Sequence, residues 1–301
     1  MFYIINYDKY ILEVFYFMND LVNDIGAIVD GLREVSPLTH CITNVVTVND
    51  CANAVLAVGG SPIMANEPCE AREIVRIVNS LLINTGTLTS SQVSAMKLAV
   101  SEASVMGKPY VLDPVGIGIS GIRNDVPLKL IGIATPSIIR GNLSEIKAVA
   151  NFYGVLDECV MAKGVDVAEG DVISEDTVDS NSVLVRNIAD KLGTTVAVSG
   201  PIDIVSDGVS VLQVRNGHGD LSRITGSGCM LGCLMASYCN VASPLLAATC
   251  ASVVMGVCGE LAHDNVVKNN AGTGSFRTYL IDELSKIGSD CISEYADVRS
   301  L

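Results

Sequence analysis

From residue 20 onward, short apolar runs rich in Val and Ile alternate with longer stretches of helical period, with no linker or repeat between them. Residues 81–84 (LLIN) read as a strand ending in Thr85-Gly86-Thr87. The stretch 89–106 predicts a helix, with Thr89, Ser90 or Ser91 as candidate caps and Gly107 closing it. Tyr110–Leu112 predicts a strand running into Asp113-Pro114, and Thr195–Val198 one running into Ser199-Gly200. Ile204–Val205 and Val209–Val214, split by Ser206-Asp207-Gly208, predict a hairpin with a tight Asp-Gly turn. Residues 229–241 and 243–263 are long helical patterns rich in small residues, whereas 122–127 (IRNDVP) shows no clean helical pattern.

Continuous apolar strands alternating with helices predict an α/β fold with one mostly parallel sheet covered on both faces. Ligands in such folds bind beyond the carboxyl ends of the strands. The polar residues that follow strands are Asn84-Thr85-Gly86, Asp113-Pro114, Arg140-Gly141-Asn142 and Ser199-Gly200. They are expected to meet at one edge of the sheet.

Composition narrows the function. Of 301 residues, 49% are hydrophobic and 17% charged, which suits a sizeable core. The apolar runs are repeatedly cut by Gly, Asn, Asp or Thr, short of the roughly 18 residues a membrane span needs. The formal charge of −14 argues against a nucleic-acid partner and opposes any phosphate ligand at long range. A nucleotide would need local devices: a helix N-terminus, a metal ion or a well-placed Arg. Ten Cys without a CxxC read as reduced thiols of a cytoplasmic protein, with Cys233 as small core filler. No His is spaced to complete a zinc site, and neither His218 nor His263 has an identifiable partner. Residues 1–17 hold seven of the fourteen aromatics, so we expect an appended segment there and one domain over 18–301.

The strongest motif is Thr225-Gly226-Ser227-Gly228-Cys229, leading into a helix. Exposed amides of Gly226, Ser227 and Gly228 with the positive helix end would make an anion hole for a transferring phosphoryl group. Cys229 would sit in the first helical turn, where a thiol pKa is lowered. Asp113, fixed at a strand end by Pro114, could serve magnesium or merely form a turn. Glu145 could be a second carboxylate near the metal or close a capping box with Asn142, and both can hold together. Arg140 could contact phosphates bidentately or be a surface residue. Met64 could line an apolar pocket or fill the core, and an isolated residue such as His40 is more often structural. Gly116-x-Gly118-x-x-Gly121 matches the dinucleotide fingerprint, but Asp113-Pro114 separates it from its strand and no acidic residue follows about 20 positions on. The P-loop pattern is absent from the sequence.

Together these residues resemble the hydroxyethylthiazole kinase family of the ribokinase-like superfamily, from about Val35 to Leu284. The resemblance rests on His40-Cys41-Ile42-Thr43-Asn44, Gly60-Ser61-Pro62-Ile63-Met64-Ala65, Asn84-Thr85-Gly86-Thr87, Leu112-Asp113-Pro114-Val115-Gly116, Arg140-Gly141-Asn142 with Glu145, Val198-Ser199-Gly200, Asn216-Gly217-His218 and the Gly226 motif. It implies a single-domain ribokinase-like three-layer fold, and ATP-dependent phosphorylation of 4-methyl-5-(2-hydroxyethyl)thiazole in thiamine salvage. It further implies a homotrimer with active sites between subunits. By matching positions, Met64, Gly226 and Asn44 would contact the thiazole, Arg140 and Ser199 ATP, and Asp113 and Glu145 magnesium. Cys229 occupies the place where most ribokinase-like enzymes carry an Asp base. Ser227 stands where Thr is common, and Gly272-Thr273-Gly274 where Gly-Pro-Gly is usual, so the last helix is expected to enter differently.

The alternatives are a kinase for another vitamin-precursor alcohol of pyrimidine or pyridoxine type, a dehydratase or lyase on the same fold, and a non-catalytic binding protein. The first two would usually carry Asp at the Cys229 position. Intact Asp113, Glu145 and Cys229 oppose the third.

Overall fold

The computed structural model describes residues 7–155 and 173–301, with side chains from residue 20 on. Among them a nine-stranded sheet runs in the order β2-β1-β3-β4-β5-β6-β7-β8-β9. Its strands are β1 (Leu38–Ile42), β2 (Ser61–Ile63), β3 (Ser80–Asn84), β4 (Tyr110–Asp113), β5 (Ile138–Asn142), β6 (Thr195–Ser199), β7 (Asp203–Ser206), β8 (Val211–Val214) and β9 (Val298–Ser300). Pairing is parallel from β2 through β6 and antiparallel beyond.

Side chains alternate between the two faces, as the pleat requires. Leu81 and Ile83 pack with α3 (Ala71–Ile77), α4 (Ser90–Met106) and α5 (Gly121–Ile133). Ile139, Val196 and Val198 pack with α6 (Leu143–Phe152) and α7 (Val178–Leu192) on the same side. Leu82, Val111, Ile138 and Ala197 join the opposite core. There they meet α1 (Tyr7–Val35), α2 (Val48–Ala57), α8 (Ser227–Tyr238), α9 (Pro244–Lys268), α10 (Thr273–Lys286) and α11 (Ser289–Tyr295). Helices on both faces give the three layers that the resemblance implies.

Local chemistry sets the boundaries. Thr89 Oγ1 accepts from Gln92 N at 3.2 Å and starts α4, and Gly107 ends it at φ +63. Asp207 Oδ1 accepts from Val209 N and Ser210 N, which closes the β7–β8 hairpin. α8 is buried from Met230 to its end and α9 from Ala247 to Gly259, because they carry apolar and small residues all round. By length and composition α9 could cross a membrane, but 78% of its apolar window is buried inside this fold.

One element differs from the sequence expectation. α5 covers 121–133, including the stretch without a helical pattern and with Pro127 inside the helix. Val126 and Leu130 are buried against α4, and this packing outweighs the poor local propensity. A helix thus does begin at Gly121, yet the preceding glycines cradle no dinucleotide: Gly116 N donates to Glu145 Oε1 at 2.8 Å and Gly118 N to Asn124 Oδ1 at 2.6 Å. α1 passes without a break through the expected boundary at Met18, and the aromatic side chains of 1–17 lie outside the described residues.

Candidate active site

The parallel register brings the strand-end residues into line. Asn84 ends β3 opposite Asp113, which ends β4, and Asn142 ends β5 opposite Ser199, which ends β6. A hydrogen-bonded row follows this edge. Asn44 Nδ2 donates to Asn84 Oδ1 (3.1 Å), and Asn84 Nδ2 donates to Asp113 Oδ2 (2.7 Å). Arg140 Nη1 reaches the same Asp113 oxygen at 3.2 Å, while its Nη2 donates to Ser199 Oγ at 2.7 Å. Arg140 is therefore a buried strut, 5% exposed, not a surface residue.

The row is capped by the start of α8. Arg140 Nη1 also donates to Gly228 O at 2.9 Å, and Cys229 Sγ accepts from Asn44 Nδ2 and Asn84 Nδ2, each at 3.3 Å. Two glycines permit this approach. At Gly226 φ is +88, and a Cβ there would meet Thr47 Cγ2 at 2.7 Å; a Cβ at Gly228 would meet Arg140 Nη1 at 2.9 Å. The first intrahelical bond of α8 runs from Met230 N to Gly226 O. The amides of Ser227, Gly228 and Cys229 precede it and have no acceptor within the helix, which leaves a positive, donor-rich end.

Burial first, with Glu145 adding and Arg140 opposing, raises the Asp113 carboxyl to about 6. Asp113 is fully buried, and its Oδ1 has no hydrogen-bond partner. An orphaned carboxylate oxygen in a buried site fits a cation. Glu145 completes the capping box with Asn142: its Oε2 accepts from Asn142 N at 2.9 Å, and its Oε1 from Gly116 N. Each of these oxygens retains a second lone pair.

The expected lowering of the Cys229 thiol is not found. Burial, followed by the Asp113 charge, pushes it above its ordinary value. A desolvated thiolate beside a carboxylate costs more than the helix end returns. The nine described cysteines are all free thiols, and Cys233 is buried core. His40 is structural: it is buried, its Nε2 lies 2.8 Å from Ala65 O, and burial lowers its pKa. Met64, just past β2, is partly buried at the edge of the core cluster that also takes in Cys229.

A cavity of about 490 Å³ opens beside the α8 start, lined by Ser199, Asp203, His218, Ser227, Gly228 and Met255 among others. Arg140 backs this wall through Ser199 and Gly228. The cavity therefore meets the free amides of α8 at one end.

The family model for the hydroxyethylthiazole kinase family matches residues 29–290. The chain belongs to the hydroxyethylthiazole kinase family. It is 60% identical over 280 residues to hydroxyethylthiazole kinase 1 of Methanosphaera stadtmanae, covering 93% of this chain and 98% of that protein. It is 41% identical to hydroxyethylthiazole kinase of Clostridium acetobutylicum, over 90% of this chain and 97% of that one. A solved hydroxyethylthiazole kinase from Pyrococcus horikoshii OT3 superposes with a TM-score of 0.81 at 36% identity, over 92% of this chain and 98% of that one. Pyridoxal kinase of Staphylococcus aureus, at 13% identity and a TM-score of 0.55, shares the fold alone.

Within this hydroxyethylthiazole kinase fold, the structure gathers Asn44, Asp113, Arg140, Ser199 and Gly226–Cys229 into one site, with Glu145 close enough to Asp113 to act on its charge. Asn84 joins Asn44, Asp113 and Cys229, a role that its place in a strand-end motif could have signalled. Asp203, on the cavity wall and accepting from Gly200 N at 2.9 Å, carried no sequence signal.

Proposed function

We propose that the chain transfers the γ-phosphoryl group of ATP to the hydroxyl of 4-methyl-5-(2-hydroxyethyl)thiazole, a step of thiamine salvage. The observation that carries this reading is the junction at Gly228. There the donor-rich start of α8 meets both the cavity and, through Arg140, the buried Asp113. ATP occupies the cavity with its phosphates toward the amides of Gly226, Ser227 and Gly228. These donors stabilise charge on the transferred group's equatorial oxygens. Arg140 holds Ser199 and Gly228 in place for the phosphates.

Met64, Asn44 and Gly226 hold the thiazole. Cys229 lies beside the acceptor hydroxyl; with its thiol pushed up, it positions the alcohol more than it removes the proton. A loose transition state needs little help from a base. Asp113 and Glu145 would hold Mg2+, which supplies charge neutralisation on the phosphates when bound; the unpartnered Asp113 Oδ1 supports this.

We further infer a homotrimer with sites between subunits, working in the cytoplasm. Val45 and Val46, directly after Asn44, are 66% and 59% exposed and suit a covering subunit. The exposed free thiol of Cys69 suits a reducing compartment.

An ATP-consumption assay with thiazole, pyrimidine and pyridoxine alcohols, with products identified by mass spectrometry, tests the proposal. The thiazole alcohol is expected to give the highest kcat/KM. Turnover of another alcohol without turnover of the thiazole would overturn it.

A further inference from the structure

Two of the chain's three histidines meet at the rim of the cavity, which His218 helps to line. His263 Nδ1 on α9 lies 2.8 Å from Asp220 Oδ2, and His218 Nδ1 lies 3.5 Å from the same oxygen. The imidazoles stack with centroids 3.6 Å apart. One donor atom from each of the three residues lies within 4.8 Å of the others. We propose that His218, Asp220 and His263 form a binding site for a borderline transition-metal dication of the zinc class, separate from the carboxylates assigned to magnesium.

The donor set selects the ion. Two imidazoles and one carboxylate suit Zn2+, Co2+ or Ni2+, whereas Mg2+ prefers oxygen donors throughout. Bonds of roughly 2.0–2.1 Å in tetrahedral geometry set neighbouring donors about 3.3 Å apart. The two separations from Asp220 Oδ2 bracket that value. The His218 and His263 side chains are 36% and 31% exposed, so an ion here keeps open positions for water or a ligand. Asp220 N donates to His218 Nδ1 at 3.2 Å, so this nitrogen is unprotonated, and a metal would take its lone pair from that amide.

The surroundings hold the three residues in place. Arg223 Nη1 donates to Asp220 Oδ1 at 3.2 Å, which leaves Oδ2 turned to the imidazoles. One face of α9 grips the segment that carries His218. Gly256 lies against Asn216, Gly259 against Leu221, and Glu260 Oε1 accepts from Gly217 N at 2.6 Å. His263 falls on that same face, one turn beyond Glu260. A metal there would clamp the 3-10 turn Gly219–Arg223 to α9.

The test uses the metal-free full-length protein. Calorimetric titration with Zn2+ is expected to show one high-affinity equivalent per chain that Mg2+ does not displace. Co2+ is expected to give ligand-field bands without a thiolate charge-transfer band. His263→Ala and Asp220→Asn should each weaken Zn2+ binding by at least about ten-fold, the size reached by losing even an outer-shell partner. Circular dichroism checks that each variant is folded, and His218→Ala reads the same site should either fail to fold. Zn2+ affinity unchanged in a folded variant, a cobalt–thiolate band, or no Zn2+ binding at all would overturn the proposal.

Discussion

Arg140 and Asp113 form a buried ion pair at 3.2 Å, with side chains 6% and 0% exposed. The guanidinium also spans the gap between Ser199 on β6 and Gly228 on α8. One side chain thus fixes the carboxylate, the cavity wall and the helix start relative to one another.

Removing Arg140 should therefore damage stability and activity together. Arg140→Ala leaves the Asp113 carboxylate buried without its cation, a loss of about 3–5 kcal/mol. Chemical denaturation measures it. Arg140→Lys should restore part of the stability but little activity, since a single ammonium cannot reach Asp113, Ser199 and Gly228 at once.

The Asp113 carboxyl is raised in the folded state from 3.8 to about 6. The folded protein therefore binds this proton more tightly than the unfolded chain does. The resulting stabilisation is fully present below about pH 4 and is lost as pH rises through about 6, by roughly 3 kcal/mol at most. Comparing the stability of the wild-type protein and Asp113→Asn across this window isolates the effect. The wild type should lose stability relative to the variant as pH rises, and parallel curves would refute the raised pKa.

Cys229→Ala should lower kcat by about ten-fold or more, at or below the low end of the roughly 10²–10⁴-fold that a general base supplies, because the thiol positions the alcohol. Its two amide partners, on Asn44 and Asn84, lose their acceptor at the same time. Steady-state kinetics reads this, and an unchanged kcat removes Cys229 from the catalytic residues. Asn84→Ala removes one of the two partners of Cys229 and of Asp113 Oδ2, leaving Asn44 and Arg140, and should reduce kcat more than it raises KM for ATP.

Two glycine substitutions should act in opposite directions. Gly228→Ala places a methyl 2.9 Å from Arg140 Nη1 and should raise KM for ATP with the fold retained. Gly31→Ala, inside α1 with nothing within 4 Å, should stabilise the protein by roughly 0.5–1 kcal/mol. Thermal melting with ATP titration distinguishes the two.

Much of the site was legible because strand ends carry it. Apolar runs located β3, β4 and β6, and Asn84, Asp113 and Ser199 follow directly from their last positions. Motif order did the rest: of the residues that resemble the family, Asn84, Asp113, Asn142 and Ser199 are aligned by the sheet register. α5 was not legible, since the burial of Val126 and Leu130 against α4 decides it and no local pattern encodes that neighbour.

The sequence by itself determined the alternating α/β order, the carboxyl-edge location of the site and the glycine bend at Gly226–Gly228. Those features rest on local periodicity and backbone freedom, which a linear chain expresses directly. Only the tertiary structure decided that Arg140 is a strut, that Cys229 is held as a thiol with its pKa raised, and that His218 meets His263 across 45 positions. Those depend on burial and on which distant groups share a small volume, and both are set when the layers pack together.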